Sequence, residues 1–358
     1  MSFDLSVLGI EKNIPKIDFK EYTGMFAAPE KFGKTTFATL YPNNVILAAE
    51  IGYKAKVANV KRISDWDSLV EFVDMLEDNR EAIGDNIQTI TIDTIDELYK
   101  MVAPYVCRQQ TIKDGEEIYN EIKDIPYGQG WNYWDEEFKK QLDRILNMGF
   151  TLFYLTHTEV KTVRPKNGEP YEIYVSTMPD RCKKIIYPAC DYILWGERCF
   201  INENGVRVPK RMITGKANEM AVAGSRVFLE EDIVFDTEEE AMEKFQVLFR
   251  RGVEKELKKH GITTDIEQLE KEQKEERQKA IKKHIEETRN DLNQFREKIS
   301  KEVVKQMESG KTGEWAMAIL NKHGVDSPQK IKSIDTANAI LEELKNASIT
   351  PTYRGGGL

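Results

Sequence analysis

Short apolar runs alternate with stretches of helical periodicity over roughly the first 250 residues. Residues 22–27, 44–50 (NVILAAE), 88–93 (QTITID) and 150–156 (FTLFYLT) read as strands, being short, apolar and rich in β-branched or aromatic side chains. Between them, Leu69, Phe72, Val73 and Leu76 fall at helical spacing, as do Phe138, Leu142, Ile145 and Leu146. Further helices are expected at 34–40 and 95–106. Strands that alternate with helices predict right-handed crossovers and a parallel sheet covered on both faces. From Glu159 the texture changes. Residues 159–175 read as a hairpin turning at Lys166-Asn167-Gly168, and strand-like runs at 192–195, 199–201 and 206–214 surround a second turn at Asn204-Gly205. The sheet is therefore expected to end in antiparallel strands.

Residues 254–308 are of a different kind, with 14 acidic and 14 basic residues, a single glycine and no proline. Such a segment predicts a long solvated helix or helical hairpin. Ile281, Ile285, Leu292, Phe295 and Ile299 approach heptad spacing, which fits either a pairing face or a contact within the chain's own domain. A small helical unit follows, with helices expected near 315–322 and from about Asp335. The expected division is 1–250 as an α/β core, 251–309 as a charged helical extension, 310–347 as a small helical unit and 348–358 as a flexible tail.

Composition narrows the setting. The formal net charge is −9, so the molecule as a whole repels phosphate, and any nucleic-acid contact needs a local basic patch. Cys107, Cys182, Cys190 and Cys199 form no C-x-x-C pair, which predicts free thiols in a reducing compartment. The first residues carry acids and no continuous apolar run, and no segment approaches a membrane span. A cytoplasmic protein without membrane contact is expected.

The chemistry concentrates in Pro29-Glu30-Lys31-Phe32-Gly33-Lys34-Thr35-Thr36, between a strand and a helix. A loop of this kind turns its backbone N–H groups into one concavity that grips phosphate oxygens. Gly33 permits close approach, Lys34 brings a point charge to the terminal phosphates of ATP, and Thr35 offers its hydroxyl to Mg²⁺. Lys31 is a candidate second cation. The pattern's usual first glycine is replaced by Ala28, which a left-handed backbone would strain. Asp93 ends an apolar strand expected beside the phosphate-loop strand, where a carboxylate supports the metal; Asp96 and Glu97 follow it as helix-start acids. Glu50 ends the strand after the loop helix, placed to orient and deprotonate a water attacking the γ-phosphate.

The order of these elements resembles the RecA-type ATPase core. In particular it resembles the phage-encoded AAA-type ATPases related to single-strand annealing recombinases of the Sak4 kind. PEKFGKTTFA (29–38), the Glu50 strand, TIDTIDELY (91–99), YGQGW (127–131) and LTHTEVK (155–161) carry the resemblance, which spans roughly residues 20–235. It implies a RecA-like P-loop NTPase fold, α/β with a mostly parallel sheet and antiparallel edge strands, followed by the α-helical C-terminal extension. It also implies Glu50 as catalytic carboxylate, His157 as a polar sensor of the γ-phosphate, and a homo-oligomer. Arg211, Lys216 and Arg226 sit where the resemblance places a cation that completes a neighbouring subunit's site. Lys161, Arg164 and Lys166, with Tyr171 and Tyr174 available to stack on bases, are the candidate contacts to single-stranded DNA, although Glu159, Glu169 and Glu172 dilute that patch. The leading expectation is an ATP-hydrolysing protein of phage recombination, annealing or replication. A ring-forming helicase and a nucleotide-gated assembly factor, docking a protein partner through 254–347, share the same motifs.

Overall fold

The computed structural model describes residues 5–346 apart from 11, 116, 167, 217–221, 227–228 and 263. Asn167, at the centre of the first expected turn, and the tail expected from 348 lie outside the described residues. The elements run β1 (Gly24–Ala27), α1 (Lys34–Thr39), β2 (Asn44–Ala48), β3 (Val60–Arg62), α2 (Trp66–Asp78), α3 (Arg80–Ile83), β4 (Thr89–Asp93), α4 (Ile95–Lys100) and α5 (Val102–Asp114). Then come α6 (Gln129–Asn147), β5 (Thr151–Thr156), β6 (Thr158–Val163), β7 (Tyr171–Ser176), α7 (Asp180–Ala189), β8 (Tyr192–Glu203) and β9 (Val206–Thr214). The chain continues through β10 (Gly224–Ser225), β11 (Ile233–Phe235), α8 (Glu238–Lys259), α9 (Ile266–Glu308), α10 (Gly313–Lys322) and α11 (Ile334–Asn346).

Among the described residues the main sheet has nine strands in the order β11-β9-β8-β1-β5-β4-β2-β3, with β10 paired to β8. From β8 to β3 neighbouring strands are parallel, while β9, β10 and β11 add antiparallel pairs at one edge, as the pattern predicts. One expectation is corrected. Asp93 does not stand on a strand next to the phosphate-loop strand, because β5 lies between β1 and β4. The hairpin of β6 and β7 forms its own two-stranded sheet rather than joining the main one. The two runs expected at 192–195 and 199–201 are a single strand, β8.

The described residues form two compact units, one of residues up to 73 with 83–277, the other of 74–82 with residues from 278 onward. In the first, aromatic side chains fill the space between the sheet and α8. Tyr41 stacks on Phe153 at 4.5 Å between centroids, Phe37 meets Phe26 edge-on at 5.2 Å, and Phe245 meets Tyr192 at 5.4 Å. The buried phenols of Tyr41 and Tyr192 satisfy each other across 2.7 Å. A Cβ on Gly24 would fall 2.2 Å from the Tyr192 ring, so only glycine lets that ring lie against β1. Residue 250 falls inside α8, whose Phe249, Val253 and Leu257 are buried in this same cluster. The start of α9 lacks an apolar stripe and is fixed by polar anchors instead. Gln273 accepts from the Ile17 amide and donates to the Pro15 carbonyl, and Arg277 reaches Glu21, Asp85 and the Gly149 carbonyl.

In the second unit, Leu292 and Ile299 of α9 are buried with Ile319, Leu320, Ile331, Ile340 and Leu344. The C-terminal half of the heptad-like stripe is thus covered by this chain's own α10 and α11. No helix among the described residues is long and apolar enough to cross a membrane.

Candidate nucleotide site

The carboxyl ends of β1, β5, β4 and β2 come together, and the segments leaving them surround one cavity of about 410 Å³. Lys31, Phe32, Gly33, Lys34, Thr35, Thr36, Glu50, Gly52, Asp93, His157 and Glu238 line it. Every expected catalytic and metal-binding residue is therefore in one place. Of the expected loop residues, Pro29 and Glu30 stand outside the lining; the Pro29 carbonyl accepts from Lys34, and Glu30 is exposed. Phe32 anchors the loop by burying its ring against Phe26 and Phe235.

Ala28 causes no strain. The residue prolongs β1, its amide bonded to the Thr156 carbonyl at 3.3 Å, and the left-handed positions of the loop are Lys31 (φ 54°) and Gly33 (φ 110°). The missing glycine was never needed for a left-handed turn at that point, because the turn is made later in the loop.

The Lys34 ammonium is buried and spans the loop, donating to the Ala28 carbonyl at 2.8 Å, the Pro29 carbonyl at 3.0 Å and His157 Nδ1 at 3.0 Å. With Nδ1 accepting from an ammonium, the imidazole proton sits on Nε2, which faces Glu50 Oε2 at 3.4 Å. The other Glu50 oxygen accepts from Thr94 Oγ1 at 2.7 Å, and the Glu50 amide bonds the Asp93 carbonyl at 3.1 Å. Thr35 Oγ1 donates to Asp93 Oδ2 at 2.6 Å. Burial lowers the Lys34 pKa from its ordinary value to about 8, against the pull of Asp93, Asp96, Glu50 and Glu30. Burial likewise raises Asp93, partly offset by the Thr35 hydrogen bond. Both groups are held in a low dielectric where their neighbours offset the cost of burial only in part, a condition that an arriving anion and cation would relieve.

The donor set fits the expected ligands. A hydroxyl and a carboxylate at 2.6 Å are hard oxygen ligands of the kind Mg²⁺ takes while keeping most of its water. Thr35 and Asp93 would hold it, and the cavity beside Lys34 would hold the phosphates.

Several contributors escaped the sequence reading. Thr94 orients Glu50, and Asp96, read from the sequence only as a helix-start acid, is buried and accepts from Thr177 Oγ1 at 2.7 Å. Glu238, at the start of α8, enters the cavity wall beside Gly33 and pairs with Arg211 at 2.6 Å. Its signal was weak, since an acid just after the N-capping Thr237 reads as helix-end chemistry.

The remaining expected residues lie away from the cavity. Arg226 pairs with Asp191 at 2.9 Å and donates to the Pro188 carbonyl, while Lys216 is exposed. In the hairpin, Lys161, Arg164, Lys166 and Tyr171 are exposed and Tyr174 is half-buried. The register pairs Val163 with Tyr171 and Val160 with Tyr174, so the two tyrosines occupy opposite faces and Lys161 shares the face of Tyr171.

A family model described as an AAA domain matches residues 20–227, more than half of the chain. The chain is also 26% identical over 191 residues to an SPbeta prophage-derived uncharacterized protein, YorG, of Bacillus subtilis (strain 168). That alignment covers 52% of this chain and 52% of the relative, so the chain spans about half the length of the curated relative it matches.

Proposed function

The chain belongs to the AAA domain family, and from that premise we propose that it binds ATP with Mg²⁺ in the cavity over Gly33-Lys34-Thr35 and hydrolyses it. The observation that carries this reading is the continuous chain from Lys34 through His157 to Glu50, set beside the Thr35–Asp93 pair. Lys34 and the loop amides bind the phosphates. Mg²⁺, when bound, supplies positive charge to the phosphate oxygens. Glu50, held by Thr94, takes the proton of the attacking water, and His157 links that carboxylate to the lysine that meets the terminal phosphate.

The wider role follows as part of the same proposal. The protein acts on single-stranded DNA as a homo-oligomer, in phage recombination, annealing or replication, and residues 254–347 are available to a protein partner. Prophage origin of the relative supports the phage setting. The exposed cations of the hairpin, with Tyr171 beside Lys161, support the strand contact. Of the cations expected to complete a neighbour's site, exposed Lys216 is the one we retain.

The test is a pair of variants. Lys34→Ala abolishes nucleotide binding, whereas Glu50→Gln keeps binding and loses phosphate release. Turnover in the Glu50 variant equal to wild type discards that carboxylate as the base. Tight nucleotide retention, with no phosphate release and no response to single-stranded DNA, would favour a nucleotide-gated assembly factor.

A further inference from the structure

Arg211 holds the phosphate loop through a backbone carbonyl. Its Nη1 donates to the Phe32 carbonyl at 3.0 Å and to Glu238 Oε1 at 2.6 Å, and its Nη2 donates to the Asp236 carbonyl. The guanidinium also lies over the Phe235 ring, 4.8 Å from its centroid. Phe32, Gly33 and Glu238 line the cavity, but Arg211 does not. The carbonyl of Phe32 is therefore taken up by a side chain that does not itself line the cavity.

That has a consequence for the next amide. A trans peptide is planar, with its C=O and N–H pointing in opposite directions. The peptide between Phe32 and Gly33 is not among the cis bonds of the described residues, so a carbonyl drawn toward Arg211 sends the Gly33 N–H the opposite way. Gly33, at φ 110° and without a Cβ, does not restrict the plane by its own sterics. A turned peptide would present the carbonyl oxygen to the phosphates in place of the N–H. The loop's donor direction is therefore set by a contact from outside it.

We propose that Arg211 is a positioning residue for nucleotide binding in its own chain, fixing the Phe32–Gly33 peptide so that the Gly33 amide donates to phosphate. This rests on the nucleotide-site reading above, and it replaces the expectation that Arg211 serves a neighbouring subunit. Glu238 has a matching part. Its carboxylate lies so close to the loop that a Cβ on Gly33 would come within 2.1 Å of Oε1. A bare carboxylate there would repel phosphate, and the ion pair with Arg211 both neutralises it and holds the guanidinium in place.

Two effects are thus combined in Arg211, and a double-variant cycle separates them. Arg211→Met keeps an apolar stem over Phe235 and removes every donor. With a fluorescent ATP analogue, its affinity falls about ten- to a hundredfold, the range of a lost charge-assisted hydrogen bond. Glu238→Gln alone changes affinity by less than about threefold, since one retained oxygen still accepts. The double variant recovers only the repulsive share and stays about tenfold or more weaker than wild type. Melting temperatures without nucleotide accompany each affinity, because loss of positioning weakens binding in a variant that still melts like wild type. Arg211→Lys keeps a cation that cannot span the same acceptors; it binds between wild type and the methionine variant, and it carries the test if methionine unsettles the edge strands. Wild-type affinity in Arg211→Met or Arg211→Lys overturns the proposal. So does full recovery in the double variant, which would reduce Arg211 to charge balance. A wild-type chain that binds no nucleotide defeats the site reading itself, and this inference with it.

Discussion

Nucleotide affinity should fall on the alkaline side, because the lysine that meets the phosphates is half neutral near pH 8. Burial among the loop carbonyls lowers Lys34 from 10.5 to about 8 in the empty site. A polyphosphate beside it adds negative charge at close range and draws the pKa back upward. Between about pH 8 and the raised pKa of the bound state, the complex then holds more protons than the free protein, so by linkage binding weakens as pH rises through that window. At pH 9 only about a tenth of free Lys34 is charged, so affinity should be about tenfold lower than at pH 7, approaching a tenfold loss per further unit. For stability the sign is different. The folded pKa lies below the unfolded one, so the charged lysine costs stability fully below pH 8, and the cost is relieved as pH rises from 8 to 10.5. That cost is at most about 3 kcal/mol, so Lys34→Met should leave the nucleotide-free protein as stable as wild type or more so at pH 7. The assay is calorimetric titration of ADP between pH 6.5 and 9.5 in buffers of different ionisation enthalpy, which counts the protons taken up. Affinity that stays flat from pH 7 to 9, with no proton uptake, would refute a depressed lysine at the phosphate site.

Asp93→Asn should abolish the Mg²⁺-dependent part of nucleotide affinity and leave the metal-free part, as read by titrating Mg²⁺ at fixed nucleotide; an unchanged Mg²⁺ response would remove Asp93 from the metal site. Tyr171→Ala should weaken binding of a labelled single-stranded oligonucleotide by about 5- to 150-fold, the range of one lost base stack, whereas Tyr174→Ala on the opposite hairpin face should not. Equal losses in fluorescence anisotropy would contradict that assignment of faces. Gly24→Ala should lower stability by about 1–3 kcal/mol or more in urea unfolding, since its Cβ would overlap the buried, hydrogen-bonded Tyr192 ring. A midpoint equal to wild type would show that the ring has room to move.

What the sequence made legible follows from what burial demands. The inner parallel strands are buried nearly along their length, so β2 and β5 appear as apolar runs and β4 as a β-branched one, and the loop between β1 and α1 carries residue types that phosphate chemistry requires. Features held by polar contacts left no such pattern. The first turns of α9 resemble a free solvated helix, yet Gln273 and Arg277 fasten them to the α/β unit through backbone carbonyls and carboxylates. Glu238 and Arg211 reach the loop from positions about 180–200 residues away, and neither differs in type from dozens of surface charges. The helix α7 also went unread, since it is short, contains Pro188 and buries little beyond Cys182 and Ile186.

Strand order was the deeper gap, and it decides the chemistry. Hydrophobic pattern identifies strands without saying which lie side by side, because a buried run suits any interior position of a parallel sheet. Had β4 lain directly beside β1, His157 at the end of β5 would have no reason to stand between Lys34 and Glu50. With β5 inserted, Thr156 pairs with Ala27 on one side, and Leu155 pairs with Asp93 on the other. The next residue, His157, then emerges between the phosphate loop and the end of β2, where Ala48 pairs with Asp93 and Glu50 follows. The imidazole can thus receive from Lys34 through one nitrogen and face Glu50 with the other. The same residue's carbonyl accepts from the amide of Thr177, just after the hairpin, at 3.0 Å. One choice of sheet order therefore places the candidate phosphate-binding lysine, the candidate base and the foot of the hairpin around a single histidine.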